Sequence, residues 1–238
     1  MKTICVISAR GGSRGLPGKN VRPMLGKPLI VWSIEQALAT KEIDRVVVST
    51  DSEAIAAIAR EAGAEIPFIR PGHLSTSEAG KFGVFKHALR ACEEHYGETY
   101  DLYVDLDCTS PLRDVSDISA CIAQFHERRK HGVEGVFSIC EARKNPYFNL
   151  LETNEDDALK ICKKLPGTIV RRQDAPAVYE HVASIYALAP DYIRSAGYLL
   201  DGHTEGYNIG SEKSLDVDSD FDFLLIEYLM KRKHGLLI

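Results

Sequence analysis

The chain lacks several features that would fix its class at once. It has no apolar run long enough to cross a bilayer, no low-complexity tract and no internal repeat. Its six cysteines, at 5, 92, 108, 121, 140 and 162, form no C-x-x-C pair and stand beside no histidine cluster, which excludes the usual zinc spacings. Cys5 and Cys140 sit in apolar runs and read as buried thiols, and Cys108 reads as a packing residue. There is no excess of positive charge: 29 Lys and Arg against 34 Asp and Glu leave a net charge of −5. That balance excludes a general binder of nucleic acid or of an anionic membrane surface. The sequence opens directly on a strand pattern, so no signal peptide is expected and a reducing cytoplasm is the expected address.

What is present is an ordinary globular composition over 238 residues, 45% hydrophobic and 26% charged, which predicts one α/β domain spanning 1–238. Apolar, β-rich runs at 3–8, 45–49, 102–105, 135–140 and 184–189 alternate with helical periodicity at 29–39, 53–62, 82–92, 115–126 and 221–233. The alternation predicts a doubly wound, mostly parallel sheet with helices on both faces, a Rossmann-like arrangement. Asp51 or Ser52 is expected to cap the second helix and Asp114 the fourth. Asp220 and Asp222 are expected to cap and charge the last helix, which ends in Lys231-Arg232-Lys233 as the macrodipole favours. The segment 141–179 breaks the alternation. With Tyr147 and Phe148, a hairpin around Asn154-Glu155-Asp156-Asp157 and a basic run from Lys160 to Lys164, it reads as an inserted excursion rather than a second domain.

Basic residues concentrate at 10–27 and 160–172, a pattern suited to a small anionic ligand in an otherwise acidic protein. The first cluster follows a strand: Ile4-Cys5-Val6-Ile7-Ser8-Ala9-Arg10 runs into Gly11-Gly12-Ser13-Arg14-Gly15-Leu16-Pro17-Gly18-Lys19-Asn20. Glycines admit a close anion and positive φ, and Arg10, Arg14 and Lys19 add full charges. Ser13 stands where the P-loop and the dinucleotide loop both need glycine, and Asn20 where the P-loop needs Ser or Thr. Two acidic pairs accompany the loop. In Asp105-Leu106-Asp107 and Asp216-Val217-Asp218 the carboxylates alternate with an apolar residue, so on extended backbone each pair shares a face. Crowded carboxylates repel unless a cation lies between them, and Mg²⁺ is the usual one beside phosphates.

The loop from Arg10 to Asn20 closely resembles the signature loop of sugar nucleotidyltransferases, and within them the cytidylyltransferases that activate sialic acids and related nonulosonates. Other motifs extend the resemblance over nearly the whole chain. Asp107-Cys108-Thr109-Ser110-Pro111-Leu112-Arg113 is similar to their Q-P-T-S-P-L-R, with Asp for Gln as in the bacterial legionaminic-type branch. Ser49-Thr50-Asp51 resembles an S-T-D strand end, with Asp51 read as a cap first and a ligand second. Arg70-Pro71 through Ser77 resembles R-P-x-x-L-A-x-D, with Ser77 for the usual Asp. Arg171-Arg172-Gln173 resembles an R-R-Q element, Tyr179 to Tyr186 resembles Y-x-x-N-A-S-I-Y with Val182 for Asn, and the acids at 216–222 resemble D-I-D-x-E-x-D.

The resemblance implies a reaction in which CTP and a 2-keto-3-deoxy sugar acid give a CMP-sugar and pyrophosphate. By position it assigns catalysis to Arg14, Lys19 and Asp218, with Arg14 where most relatives have Lys. Nucleotide contacts fall to Ala9, Arg10, Gly11, Gly12, Ser13, Asn20, Arg70, Ser77 and Lys81. The sugar acid falls to Asp107, Thr109, Ser110, Arg172, Gln173 and Tyr179, and Mg²⁺ to Asp107, Asp216 and Asp218. It also implies a homodimer built on 141–179, with Arg172 reaching a neighbouring site. Alternatives on the residues themselves stay open: Lys81 as a solvated lysine, Asp218 as an N-cap, His181 as a structural histidine. For function they are the same chemistry on Kdo or 8-amino-Kdo, a uridylyl- or guanylyltransferase, and a non-catalytic nucleotide-binding module.

Overall fold

The structure, a computed structural model, describes residues 1–236 apart from Arg14 and Thr168. The first half runs β1 (Thr3–Ser8), a small hairpin of β2 (Pro23–Met24) and β3 (Lys27–Pro28), α1 (Leu29–Leu38), β4 (Arg45–Ser49), α2 (Glu53–Glu61), α3 (Lys81–Tyr96) and β5 (Leu102–Leu106). It continues with α4 (Val115–Arg129), β6 (Gly135–Glu141), a hairpin of β7 (Leu151–Thr153) and β8 (Leu159–Ile161), β9 (Tyr179–Leu188), α5 (Pro190–Ser195), β10 (Thr204–Asn208) and α6 (Asp220–Lys233). Six of these strands form one sheet in the order β10-β6-β9-β5-β1-β4. Neighbours pair in parallel except at β9, which runs antiparallel to both β5 and β6.

The runs read as buried strands are buried: Ile4 to Ile7 and Leu102 to Leu106 have essentially no exposed surface. Side chains alternate across the sheet, so Tyr103 and Asp105 face α3, where Phe85 packs on Tyr103 and Tyr186. Helix α1 packs on β1 and β4 and meets α2 and α4, while α3 meets α5. Ser52 caps α2, accepting from the Ile55 amide at 3.4 Å, and Asp114 forms a capping box with Asp117 at α4.

The structure extends the expected pattern in several places, the first of them the small β2–β3 hairpin, which was not expected. Strand β9 begins at Tyr179 rather than near 184, β10 was not expected, and neither was the six-residue α5. Strand β9 also carries an irregularity: Phe137 pairs with Tyr186 but Ile139 pairs with His181, leaving Ser138 opposite residues 182–185. The buried Ser138 hydroxyl repairs the ladder there, accepting from the Ile185 amide at 2.8 Å and donating to the Val182 carbonyl at 2.7 Å. The hairpin of β7 and β8 closes around Asn154, whose Oδ1 accepts from the amides of Asp156 and Ala158.

Candidate active site

Strand β1 has β4 on one side and β5 on the other, with all three pointing the same way. Their carboxyl ends form the crevice where open α/β sheets bind ligands. A cavity of about 390 Å³ opens there. Arg10, Ser13, Lys19 and Asn20 from the loop after β1 line it, joined by Arg70, Ser77 and Lys81, by Asp107 and Thr109 after β5, and by Asp216 and Asp218. Cations and acids separated by about two hundred residues thus share one cavity.

The loop is held by main-chain and side-chain ties. The Gly11 amide donates to Asp51 Oδ1 at 2.9 Å, and Asn20 Nδ2 donates to the Arg10 carbonyl at 3.0 Å. Asn20 Oδ1 in turn accepts from the buried Cys108 thiol at 3.2 Å, joining the loop to the end of β5 and giving Cys108 the packing role expected of it. Of the loop glycines, Gly18 takes a left-handed φ of 70°, whereas Gly15 serves close approach: a Cβ there would lie 2.6 Å from the Asp218 carbonyl oxygen. Lys19 Nζ spans the gap, donating to the Val217 carbonyl at 2.6 Å and to Asp218 Oδ1 at 2.7 Å.

The segment bearing Asp216 and Asp218 ends no strand of the sheet. It is irregular backbone between β10 and α6, moored where the Val217 amide donates to the Thr109 carbonyl at 2.9 Å. Ser219, with Asp222 in a capping box, caps α6, so Asp218 is left free of that duty, and Asp220 pairs with Arg22 at 2.5 Å. Burial together with the charges of Asp218 and Asp107 pushes the Asp216 carboxyl up to about 6.

At β5 the paired acids do share a face, and their common partner is Lys81. Its ammonium sits 3.0 Å from Asp105 and 3.1 Å from Asp107, over the Tyr186 ring at 4.4 Å. The lysine is therefore an engaged cation rather than a solvated one. Burial opposes its charge, but the two carboxylates hold it well above its usual value. Asp105 is wholly buried and its carboxyl is raised by that burial and by Asp107. Burial also raises Asp107, but Lys81 and Thr109 outweigh it and leave the carboxyl below its usual value, with Thr109 donating from both N and Oγ1 to Oδ1. Asp107 is thus committed to these neighbours. Among the described residues no group of three or more His, Cys, Asp or Glu is arranged to hold a metal ion, so Asp107, Asp216 and Asp218 do not assemble as one three-acid set.

Several other expected residues stand elsewhere. Ala9 and Gly12 do not line the cavity, the Ala9 amide being taken by the Ser49 carbonyl, and Gly11 borders a small side pocket next to Ser52. Ser110 is fully buried with its hydroxyl toward the Ala183 carbonyl, so it supports the turn from below. Asp51 caps nothing; it holds Gly11 and lies 3.9 Å from Arg70. Arg172 and Gln173 line a separate cleft against Glu141 and Asn145, with Arg172 donating to the Ala142 carbonyl at 3.1 Å, and Tyr179 is exposed at the start of β9. His181 pairs through Nε2 with the Tyr186 hydroxyl at 3.0 Å and meets Phe137 edge-on, while Val182 is buried. Arg14 lies outside the described residues.

One important residue had no role assigned from the sequence. Arg113, fully buried, donates from Nη1 to the carbonyls of Asp107 at 2.8 Å, Ser110 at 3.0 Å and Ser184 at 3.2 Å, and from Nη2 to Ser33 Oγ. It gathers the whole turn after β5 around one guanidinium, whose pKa burial pulls down to about 10 against the pull of Asp107. The signal was available: an Arg closing a Ser-Pro turn just before a helix cap, where inward carbonyls need a donor.

A mixed α/β sheet with a cation loop and an acid pair at its switch point defines a nucleotidyltransferase-type protein. Comparison with known proteins makes this specific. Residues 4–231 match the family model described as Cytidylyltransferase. The chain is 36% identical over 231 residues to Post-translational flagellin modification protein B of Campylobacter coli, covering 97% of this chain and 96% of that protein. It is 35% identical, with the same coverage, to CMP-N,N'-diacetyllegionaminic acid synthase of Campylobacter jejuni. Among solved structures, a CMP:2-keto-3-deoxy-manno-octonic acid synthetase complexed with CTP aligns over 98% of this chain and 100% of its own, with a TM-score of 0.73 and 17% identity, a likeness of fold. The chain belongs to the cytidylyltransferase family, a family of nucleotidyltransferase enzymes.

Proposed function

We propose that this enzyme transfers CMP from CTP to the anomeric hydroxyl of a nonulosonic acid of the legionaminic type, releasing pyrophosphate and a CMP-sugar. The relatives' full-length similarity supports the reaction class and the legionaminic synthase supports the sugar. The observation that carries the reading is the meeting of Lys19 with Asp218 in a cavity also lined by Arg10 and Arg70. Attack on the α-phosphorus by a sugar acid brings two anions together, so fixed positive charge at the triphosphate offsets their repulsion. Arg10, Lys19 and Arg70 are the residues for that task; Arg14 joins them as an expectation from its place in the loop.

Asp216 and Asp218 would hold Mg²⁺. Their carboxyls crowd each other, and two carboxylates completed by substrate phosphates suit this ion, so a three-acid protein cage is not required. When bound, the ion supplies charge neutralisation at the α-phosphate and a lower pKa for the anomeric hydroxyl. Lys81 and Thr109 hold the Asp107 carboxylate at the cavity wall, and in this reading Asp107 and Thr109 contact the sugar acid. A homodimer is part of this reading, supported by exposed Leu151, Leu159, Val170 and Tyr179 in and beside the excursion. Among the described residues no helix is long and apolar enough to cross a membrane.

Pyrophosphate release from CTP and Mg²⁺ with legionaminic, sialic, pseudaminic and Kdo-type acids tests the proposal directly. Turnover is expected with the legionaminic-type acid above the others. Release with none of the acids would overturn the reaction, and a preference for a Kdo-type acid would overturn the substrate.

A further inference from the structure

Behind one wall of the nucleotide cavity lies a second cavity, of about 480 Å³. The wall is the single turn Gly72–Leu74: Leu74 borders both cavities, and Arg70, which lines the first, is tied to this segment by a bond from Nε to Ser75 Oγ at 3.1 Å. The second cavity is cationic although the chain carries a net charge of −5. Lys86 and Arg90 project into it from adjacent turns of α3, Arg194 from α5, and the imidazoles of His73 and His87 complete the basic lining.

Its counter-charge is incomplete. The one acid in the lining, Glu93, is taken by Arg194 at 2.5 Å, and Arg194 also holds Asp191 at 2.7 Å. Arg90 reaches Glu94 at 3.5 Å, in a pair so exposed that solvent screens it. Lys86 and His73 have no hydrogen-bond or ion-pair partner among the described residues. His87 packs edge-on against Phe68, its ring centroid 5.0 Å away, and its buried Nδ1 has no partner. Burial, with the positive charges of Arg90 and Arg70 and the ring of His73, holds the His87 imidazole below its usual pKa. Basic groups converging on a concavity whose one lining acid is already paired leave a charge deficit that an anion would fill.

We propose that this second cavity binds a small phosphate-bearing metabolite, with Lys86 and Arg90 as its charge partners and His73 and His87 as hydrogen-bond donors. The volume falls within the range of small-molecule sites, and a dianionic phosphate offers enough acceptors to engage all four groups. The turn Gly72–Leu74 links occupancy of this cavity to Arg70, making the site a candidate regulator of nucleotide binding.

The test uses inorganic phosphate as the probe and the imidazole NMR signals of His73 and His87 as local reporters, with CTP present to fill the first cavity. A saturable shift of both signals is expected. In a Lys86→Glu, Arg90→Glu double variant, with circular dichroism verifying the fold, the apparent affinity should fall at least about tenfold, as when two charged partners of a phosphate are lost. Absence of a saturable shift, or a shift unchanged in the double variant, overturns the proposal. Because the readout is binding at His73 and His87, its failure would leave the assignment of the reaction untouched.

Discussion

At the residue scale, the acid pair gives the sharpest expectations. Asp216 holds its proton in the folded chain to about pH 6, while an unfolded Asp loses it near 3.8. Between those values the folded state binds more protons, so ionising Asp216 destabilises the ligand-free protein as pH rises. Urea midpoints from pH 4 to 7 should show this loss in the wild type, and Asp216→Asn should flatten it. Asp218→Asn is expected to lower kcat/KM by roughly 10²–10³-fold with an unchanged circular dichroism spectrum, the scale of losing one preorganised electrostatic group. Which side chains make the cavity was largely legible, because a glycine-rich loop dense in cations and two alternating acid pairs have few structural uses. Their partners were not. That Lys81 binds Asp105 and Asp107, and that Asp107 consequently stands apart from Asp216 and Asp218, depends on how α3 sits over β5, and spacing along the chain carries no such information.

At the element scale, strands with buried apolar runs were readable and strands without them were not. Thr204–Asn208 reads as a loop because an edge strand containing Gly206 shows little apolar alternation. The start of β9 is polar and exposed at Tyr179, Glu180 and His181, so only its buried second half stood out. Helix α5 is too short for periodicity to register. The break in β9 places unusual weight on one hydroxyl. Ser138→Ala would leave the Ile185 amide and the Val182 carbonyl without their partner and should cost about 1–3 kcal/mol in urea unfolding, the penalty of burying an unmade hydrogen bond. Gly15→Ala should behave differently. Its methyl would meet the Asp218 carbonyl at 2.6 Å, so the loop must move away from the acids. Activity is expected to fall far more than the midpoint of unfolding, which a paired assay and melt would reveal.

At the scale of the whole molecule, one chain brings the loop cations and the acids Asp216 and Asp218 together but leaves Arg172 and Gln173 in a separate cleft. The proposed two-fold dimer, with each excursion completing the neighbour's site, would account for this. Mixing separately inactive Arg172→Ala and Asp218→Asn proteins would then recover about a quarter of wild-type turnover, since half the randomly exchanged dimers carry one intact site. No recovery after verified subunit exchange would place Arg172 at work within its own chain. The inserted excursion was legible as a break in the alternation of strand and helix; where Arg172 works was not, because a single chain gives no register for its neighbour.

The contact between Lys19 and Asp218 carries a consequence for how ligands arrive. The two groups neutralise each other across the mouth of the site. A nucleotide that draws the ammonium to its phosphates strands a carboxylate, and a divalent ion that draws off the carboxylate strands the ammonium. Either newcomer alone breaks a bond that only the other can replace, so the pair should be mutually reinforcing, each tightening the hold on its companion by one and the same factor.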